Sequence, residues 1–150
     1  MGRFPHYIKG NKGSSIPSHV VVFDTETRSE KVDNSTVEAT LSFGWSASLR
    51  RLKGNRWSQP RWERFTTPDA FWDSVTRLCK PKRRLYVISH NLAFDLTVSK
   101  GFGWLQSNGW ENTSRVLGRK ILSLTYRKDG RHMVLMDSLN IFPMPLAELG

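Results

Sequence analysis

The sequence predicts a mixed α/β fold, one sheet flanked by helices, and three observations predict it. Two short runs rich in β-branched and apolar residues, at 19–24 and 83–89, have the signature of strands buried on both faces. A stretch with helix-start grammar lies between them, at 67–80. Alternating segments on either side of this core, at 36–52 and around the turn at 128–131, read as antiparallel strands. The resulting order of strand, hairpin strands, helix, strand, helix and further strands is that of a mixed sheet in which a helix links two adjacent strands.

Each element has its own local reason. Residues 1–17 form a basic lead-in, rich in Gly and Ser and closed by Pro17. The run "HVVVFD" is the first strand. "TVEATLSFGWSASLRRL" alternates and places Leu41, Phe43 and Trp45 on one side of a longer, half-exposed strand. Gly54–Asn55 is turn chemistry, and "RWSQPRWERFTT" is the return strand of a hairpin, with Pro60 marking a bulge or an edge. In "TPDAFWDSVTRLCK", Thr67 is a fitting N-cap, Pro68 suits the first helical position and Asp69 the first turn. Phe71, Val75 and Leu78 then recur at helical spacing. "RRLYVIS" is a second buried strand, and "HNLAFDLTVSKGFGWLQSNG" a helix with glycines in its middle and an Asn-Gly end. "RKILSLTYR" and "HMVLMDSL" flank Asp129–Gly130, which suits a type I′ hairpin turn. After Pro145 the chain turns helical again.

Length and charge narrow the function. A chain of 150 residues fits one domain, here 18–150, with a 38% hydrophobic content typical of globular proteins. The net charge of +10 favours polyanionic partners, nucleic acid foremost. Cys79, the one cysteine, leaves neither an intramolecular disulfide nor a thiolate cluster available. No apolar run approaches the ~20 residues of a membrane span. The N-terminus has no apolar segment of the secretory kind, and His6 stands where myristoylation calls for Ser or Thr. A cytoplasmic protein is expected, with no membrane partner.

The chemistry concentrates in "FDTET". Residues two apart on a strand share a face, so Asp24 and Glu26 project together at the carboxyl end of the first strand. Two adjacent carboxylates repel unless a cation lies between them, and a hard divalent ion takes such oxygens. A strand end running into a polar turn, with Asp24 as a cap, is the plain alternative. "YVISHNLAFDL" repeats the design at the end of the second buried strand, where Asn91 and Asp95 are four apart and share a helical face. Three carboxylates converging from two strand ends would suit two-metal phosphoryl transfer.

At these residues the chain resembles the DEDD (DnaQ-like) 3′–5′ exonucleases. "FDTET" at 23–27 is similar to their first motif and "HNLAFD" at 90–95 to their second. "DSLNIFP" within "MDSLNIFPMPLAELG" at 136–150 resembles the segment after the second motif in exonuclease domains of protein-primed family B DNA polymerases, of phage and linear-plasmid type. The resemblance spans about residues 20–150. It implies a ribonuclease H-like fold, a site of four carboxylates with two Mg²⁺ or Mn²⁺ ions, and a single-stranded DNA 3′ end as substrate. It implies metal ligation and catalysis for Asp24, Glu26 and Asp95. Thr25 would approach the terminal nucleotide, and Asn91, Phe94 and His90 would contact the 3′ end. On the residues alone, His90 is equally a neighbour of a helix start, and Phe94 equally a core side chain.

The family's third motif, Tyr-x-x-x-Asp or His-x-x-x-x-Asp, is expected beyond Gly150, which makes the chain the front of a longer polymerase or exonuclease. His132 and Asp137 have the second spacing, but on a strand positions five apart face opposite sides. Trp57 and Trp62, interleaved with Arg51, Lys53, Arg56, Arg61 and Arg64, suit single-stranded nucleic acid or a sheet-packed hairpin with solvated arginines. "KPKRR" at 80–84 reads as a solvated loop more than a phosphate clamp. Two functions follow: a metal-dependent exonuclease that proofreads for a polymerase, with the rest of that polymerase or a terminal protein as partner; or a catalytically inactive single-strand-binding or assembly module of the same fold. A ribonuclease of the same superfamily is a third.

Overall fold

The structure, a computed structural model, describes residues 16–33, 35–117 and 121–148. All but the last two residues of the 1–17 lead-in therefore lie outside the described residues. The elements are β1 (His19–Lys31), β2 (Val37–Arg50), β3 (Arg61–Phe65), α1 (Pro68–Leu78), β4 (Arg84–Ser89), α2 (Leu92–Val98), α3 (Gly101–Ser107), β5 (Glu111–Leu117), β6 (Ile121–Lys128) and β7 (Arg131–Asp137). The strands form one mixed α/β sheet in the order β3-β2-β1-β4-β7-β6-β5. β1, β4 and β7 run parallel in its middle, and the outer pairs are antiparallel.

The helices cover one face. Val21, Phe23, Leu85, Val87, Met133 and Leu135 point into a core completed by Phe71, Trp72, Leu92, Leu96 and Leu105 from the helices. Trp72 anchors it, fully buried, with its indole N–H donating to the Ser99 carbonyl at 3.0 Å. The opposite face is open, which corrects the expectation of strands buried on both sides. Val22 is 44% exposed, and Tyr86, Ile88, Val134 and Met136 are half-buried.

Local chemistry explains most boundaries. Thr67 caps α1, its hydroxyl accepting from the Ala70 N–H at 3.2 Å, and Pro68 opens the helix. Asp129 and Gly130 both have positive φ, as a type I′ turn requires. The helix expected over 90–109 is two helices, because Lys100 adopts the left-handed conformation (φ 52°) and breaks the ladder. β1 continues well past Asp24, pairing with β2 as a ribbon. A bulge between Glu26 and Thr27 in the register pairs Phe43 with Glu26 but Leu41 with Thr27. Leu41 therefore turns onto the core while Phe43 stays with Trp45 on the open face, correcting the single stripe read from the alternation. β5 carries no alternation strong enough to announce it, and only its pairing with β6 makes it a strand.

Gly44 lies between Thr25 and Phe65 in the β1–β2–β3 register. A Cβ there would meet the Phe65 ring at 2.1 Å and the Asp24 carbonyl at 2.7 Å. Gly44→Ala is therefore expected to destabilise by about 2 kcal/mol through overpacking, read as a lowered thermal midpoint. It would also displace the backbone that carries Asp24.

Candidate active site

The register sets the site. β1 pairs with β4 up to Val22–Ile88, and β4 with β7 up to Ser89–Asp137. The carboxyl ends of the three parallel strands are thus nearly level, and Asp24 emerges just beyond the last β1–β4 pair. The chain leaves β1 towards β2 and β4 towards β7, so the gap between them is a switch point, where open α/β sheets bind ligands.

Asp24 and Glu26 alternate with the buried Phe23 and Thr25, so both project from the open face. Neither has a hydrogen-bond or ion-pair partner among the described residues. Trp45 lies directly across from Asp24 and Phe43 across from Glu26, while the Arg64 guanidinium sits over the Phe43 ring at 4.8 Å. Trp62, on the neighbouring strand and the same face, is 63% exposed. These aromatic neighbours of the carboxylates were hidden in the sequence. The alternation of β2 was legible, but which of its faces met Asp24 depended on register and on the bulge.

Asp95 occupies the covered side. It is 1% exposed, and its Oδ1 accepts from the Thr25 N–H at 3.2 Å and from the Thr25 hydroxyl at 2.5 Å. Its Oδ2 accepts from the Ser89 hydroxyl. The reason is an accounting one: β4 has ended by this level, so the Thr25 N–H has no strand acceptor and Asp95 supplies it. Burial pushes the Asp95 carboxyl above the usual carboxylate range; the Ser89 and Thr25 hydrogen bonds oppose this, and the nearby Asp24 charge adds to it. Asp95 is therefore brought close to the Asp24–Glu26 pair through Thr25, with its own oxygens turned inward. Thr25 is committed to Asp95 by both its amide and its hydroxyl.

The remaining expected residues divide. Asn91 takes a left-handed conformation (φ 89°) at the start of α2. Its N–H donates to Asp137 Oδ1 at 3.0 Å, and its side-chain amide has no partner among the described residues. Phe94 is 43% exposed and outside the core. His90 is engaged at both ring nitrogens: Nε2 donates to the Met144 carbonyl at 2.8 Å, and Nδ1 meets the Ser138 hydroxyl at 3.0 Å. His132 and Asp137 stand at opposite ends of β7, roughly 16 Å apart by strand rise, and on opposite faces. Asp137 is buried beside Ser89, accepting from the Asn91 and Leu139 amides through Oδ1, and Oδ2 has no partner among the described residues. Cys79 is buried, which pushes its thiol up to about 12 and removes it from nucleophilic chemistry.

Among the described residues, no group of three or more His, Cys, Asp or Glu side chains is arranged to hold a metal ion. The donor set on the open face is the Asp24–Glu26 pair, whose oxygens suit one hard divalent cation. Asp95, as oriented, adds no third ligand. No helix among the described residues is long and apolar enough to cross a membrane. No family model matches the chain, and no curated protein and no solved structure shows a significant likeness to it.

Proposed function

We propose that the chain is a metal-dependent 3′–5′ exonuclease domain of the ribonuclease H-like class, acting on single-stranded DNA ends as the proofreading part of a protein-primed family B polymerase. The observation that carries this reading is the Asp24–Glu26 pair: two carboxylates without a partner among the described residues, side by side, at the switch point of an α/β sheet. Mg²⁺ or Mn²⁺ held there would supply an activated water and offset charge on the leaving oxygen. Asp95, itself held by the Ser89 hydroxyl, fixes Thr25 between the two carboxylates by two hydrogen bonds on its far side, so the pair is held at a set separation. Trp45 and Phe94 offer stacking faces for terminal bases, Asn91 an amide without a partner among the described residues, and Arg64 a cation for the backbone phosphate. His90 acts at one remove, tying the start of α2 to the 138–144 segment. The rest of a polymerase, or a terminal protein, would be the partner.

A 5′-labelled single strand incubated with the protein and Mg²⁺ should shorten stepwise from its 3′ end and stay intact in EDTA. Internal cuts, or shortening unaffected by EDTA, would reject this reading. A second reading, an inactive single-strand-binding module of the same fold, is favoured by the inward commitment of Asp95 and by the exposed Trp45 and Trp62. It predicts binding with no ladder in any metal.

A further inference from the structure

The end of the sheet away from the carboxylates holds a second feature that neither reading uses. A cavity of about 1000 Å³ opens at the amino-terminal ends of β1 and β4, between the end of β2, the loop before β3 and the end of α1. Arg50, Arg51, Arg61, Lys80, Arg83 and Arg84 line it, and among the described residues no Asp or Glu does. The "KPKRR" run, which by sequence alone is a solvated loop, is thus folded against the arginines of β2 and β3. Arg61 is paired with Glu63 at 2.9 Å and Arg51 donates to Asn55. Arg50, Lys80, Arg83 and Arg84 have no ion-pair partner among the described residues.

Around one concavity, four cations without an ion-pair partner among the described residues repel one another and draw in a polyanion. His19, on the same wall, is held below its usual value first by burial and then by the Arg50 and Arg83 charges. Leu52, Leu78 and Leu85 give the cavity an apolar floor, and Ser58 and Gln59 give it neutral hydrogen-bonding groups. Trp57, bridged across the loop to the cavity-lining Arg51, is 40% exposed. Cations spread over several elements suit a chain of phosphates better than one phosphate group, and an exposed indole beside them suits an unpaired base.

The geometry points to a second nucleic-acid site: the basic cavity grips the phosphate backbone of a single strand, with Trp57 stacking a base. From His19 to Asp24 is roughly 16 Å along β1, so the cavity is separate from the carboxylate site. It anchors a strand whether or not the chain cuts it.

The test is binding of a fluorescent oligothymidylate in EDTA, where hydrolysis plays no part. Arg50→Gln/Arg83→Gln/Arg84→Gln should weaken binding roughly tenfold and flatten the log–log salt slope by about 2, at about 0.7 per lost phosphate contact. A control with the same charge change on exposed residues elsewhere, Lys100→Gln/Arg115→Gln/Arg127→Gln, should shift both far less. Equal losses in the two triples would reduce the effect to net charge and overturn the site, as would parental binding by the first. Should the first triple fail to fold, the loop pair Lys80→Gln/Arg83→Gln carries the same test with a slope change of about 1.4. Inorganic triphosphate that binds tightly and excludes the oligonucleotide would overturn the strand assignment in favour of a small polyanion.

Discussion

Replacing both open-face carboxylates, Asp24→Asn with Glu26→Gln, is expected to lower metal-dependent hydrolysis of single strands at least about a hundredfold. Bound divalent cations contribute several kcal/mol of charge stabilisation to phosphoryl transfer, and each 1.36 kcal/mol is tenfold in rate. The exchange keeps side-chain size and touches no internal hydrogen bond, because neither residue has a partner among the described ones. Thermal stability should therefore stay within about 0.5 kcal/mol of the parent, as for exposed positions generally. Binding measured in EDTA should persist, since removing two negative charges eases the approach of a polyanion. The decisive comparison is kcat/KM against the melting midpoint: lost rate with an unchanged midpoint assigns the pair to chemistry. A double variant that degrades DNA at the parental rate would remove the metal site from consideration, and with it the exonuclease reading.

Why this pair was legible and its surroundings were not follows from the range of the interactions involved. That Asp24 and Glu26 share a face depends on strand periodicity alone, which two residues of local sequence define. The α1 cap, the hairpin turn at Asp129–Gly130 and the apolar runs of β1 and β4 are equally local, and each lies where the sequence placed it. The faces are another matter. A run such as "VVVF" reads as buried on both sides, yet helices cover only one, because coverage is decided by crossovers that return on the same side of the sheet. The break at Lys100 has no local signature either, since a lysine carries no signal for a left-handed conformation.

The site itself was half-legible for the same reason. Asp95 was expected to share the crevice, on the argument that positions four apart in a helix align. Which way that helical face turned was a tertiary matter, settled by the unpaired Thr25 amide and the Ser89 hydroxyl. Trp45 and Phe43 could be placed beside the carboxylates only with the β1–β2 register in hand, bulge included. The basic cavity is the extreme case. Its arginines come from segments some thirty residues apart, and no local pattern joins 50–51 to 83–84.

Asp95 itself permits a sharp test, because its structural and chemical roles respond differently to two substitutions. Asp95→Ala strands three donors, the Thr25 amide and hydroxyl and the Ser89 hydroxyl, in a buried site. A loss of about 3 kcal/mol is expected, against a total of about 5–15 for a domain of this kind. Asp95→Asn behaves otherwise: its carbonyl oxygen can accept both Thr25 bonds, and its amide can donate to Ser89. The charge matters too. Because burial raises the folded Asp95 above its unfolded value, the folded state binds the extra proton, and this residue's contribution falls as pH rises from the unfolded value through the raised one. Asp95→Asn should abolish that decline and match or exceed the parent's stability at neutral pH, measured by denaturant titration across the acid range. Its activity then assigns the role. Hydrolysis retained in Asp95→Asn would make Asp95 a positioning residue that acts through Thr25. Hydrolysis lost from a variant as stable as the parent would mean that the carboxylate turns outward in the working enzyme to join Asp24 and Glu26 on the metal.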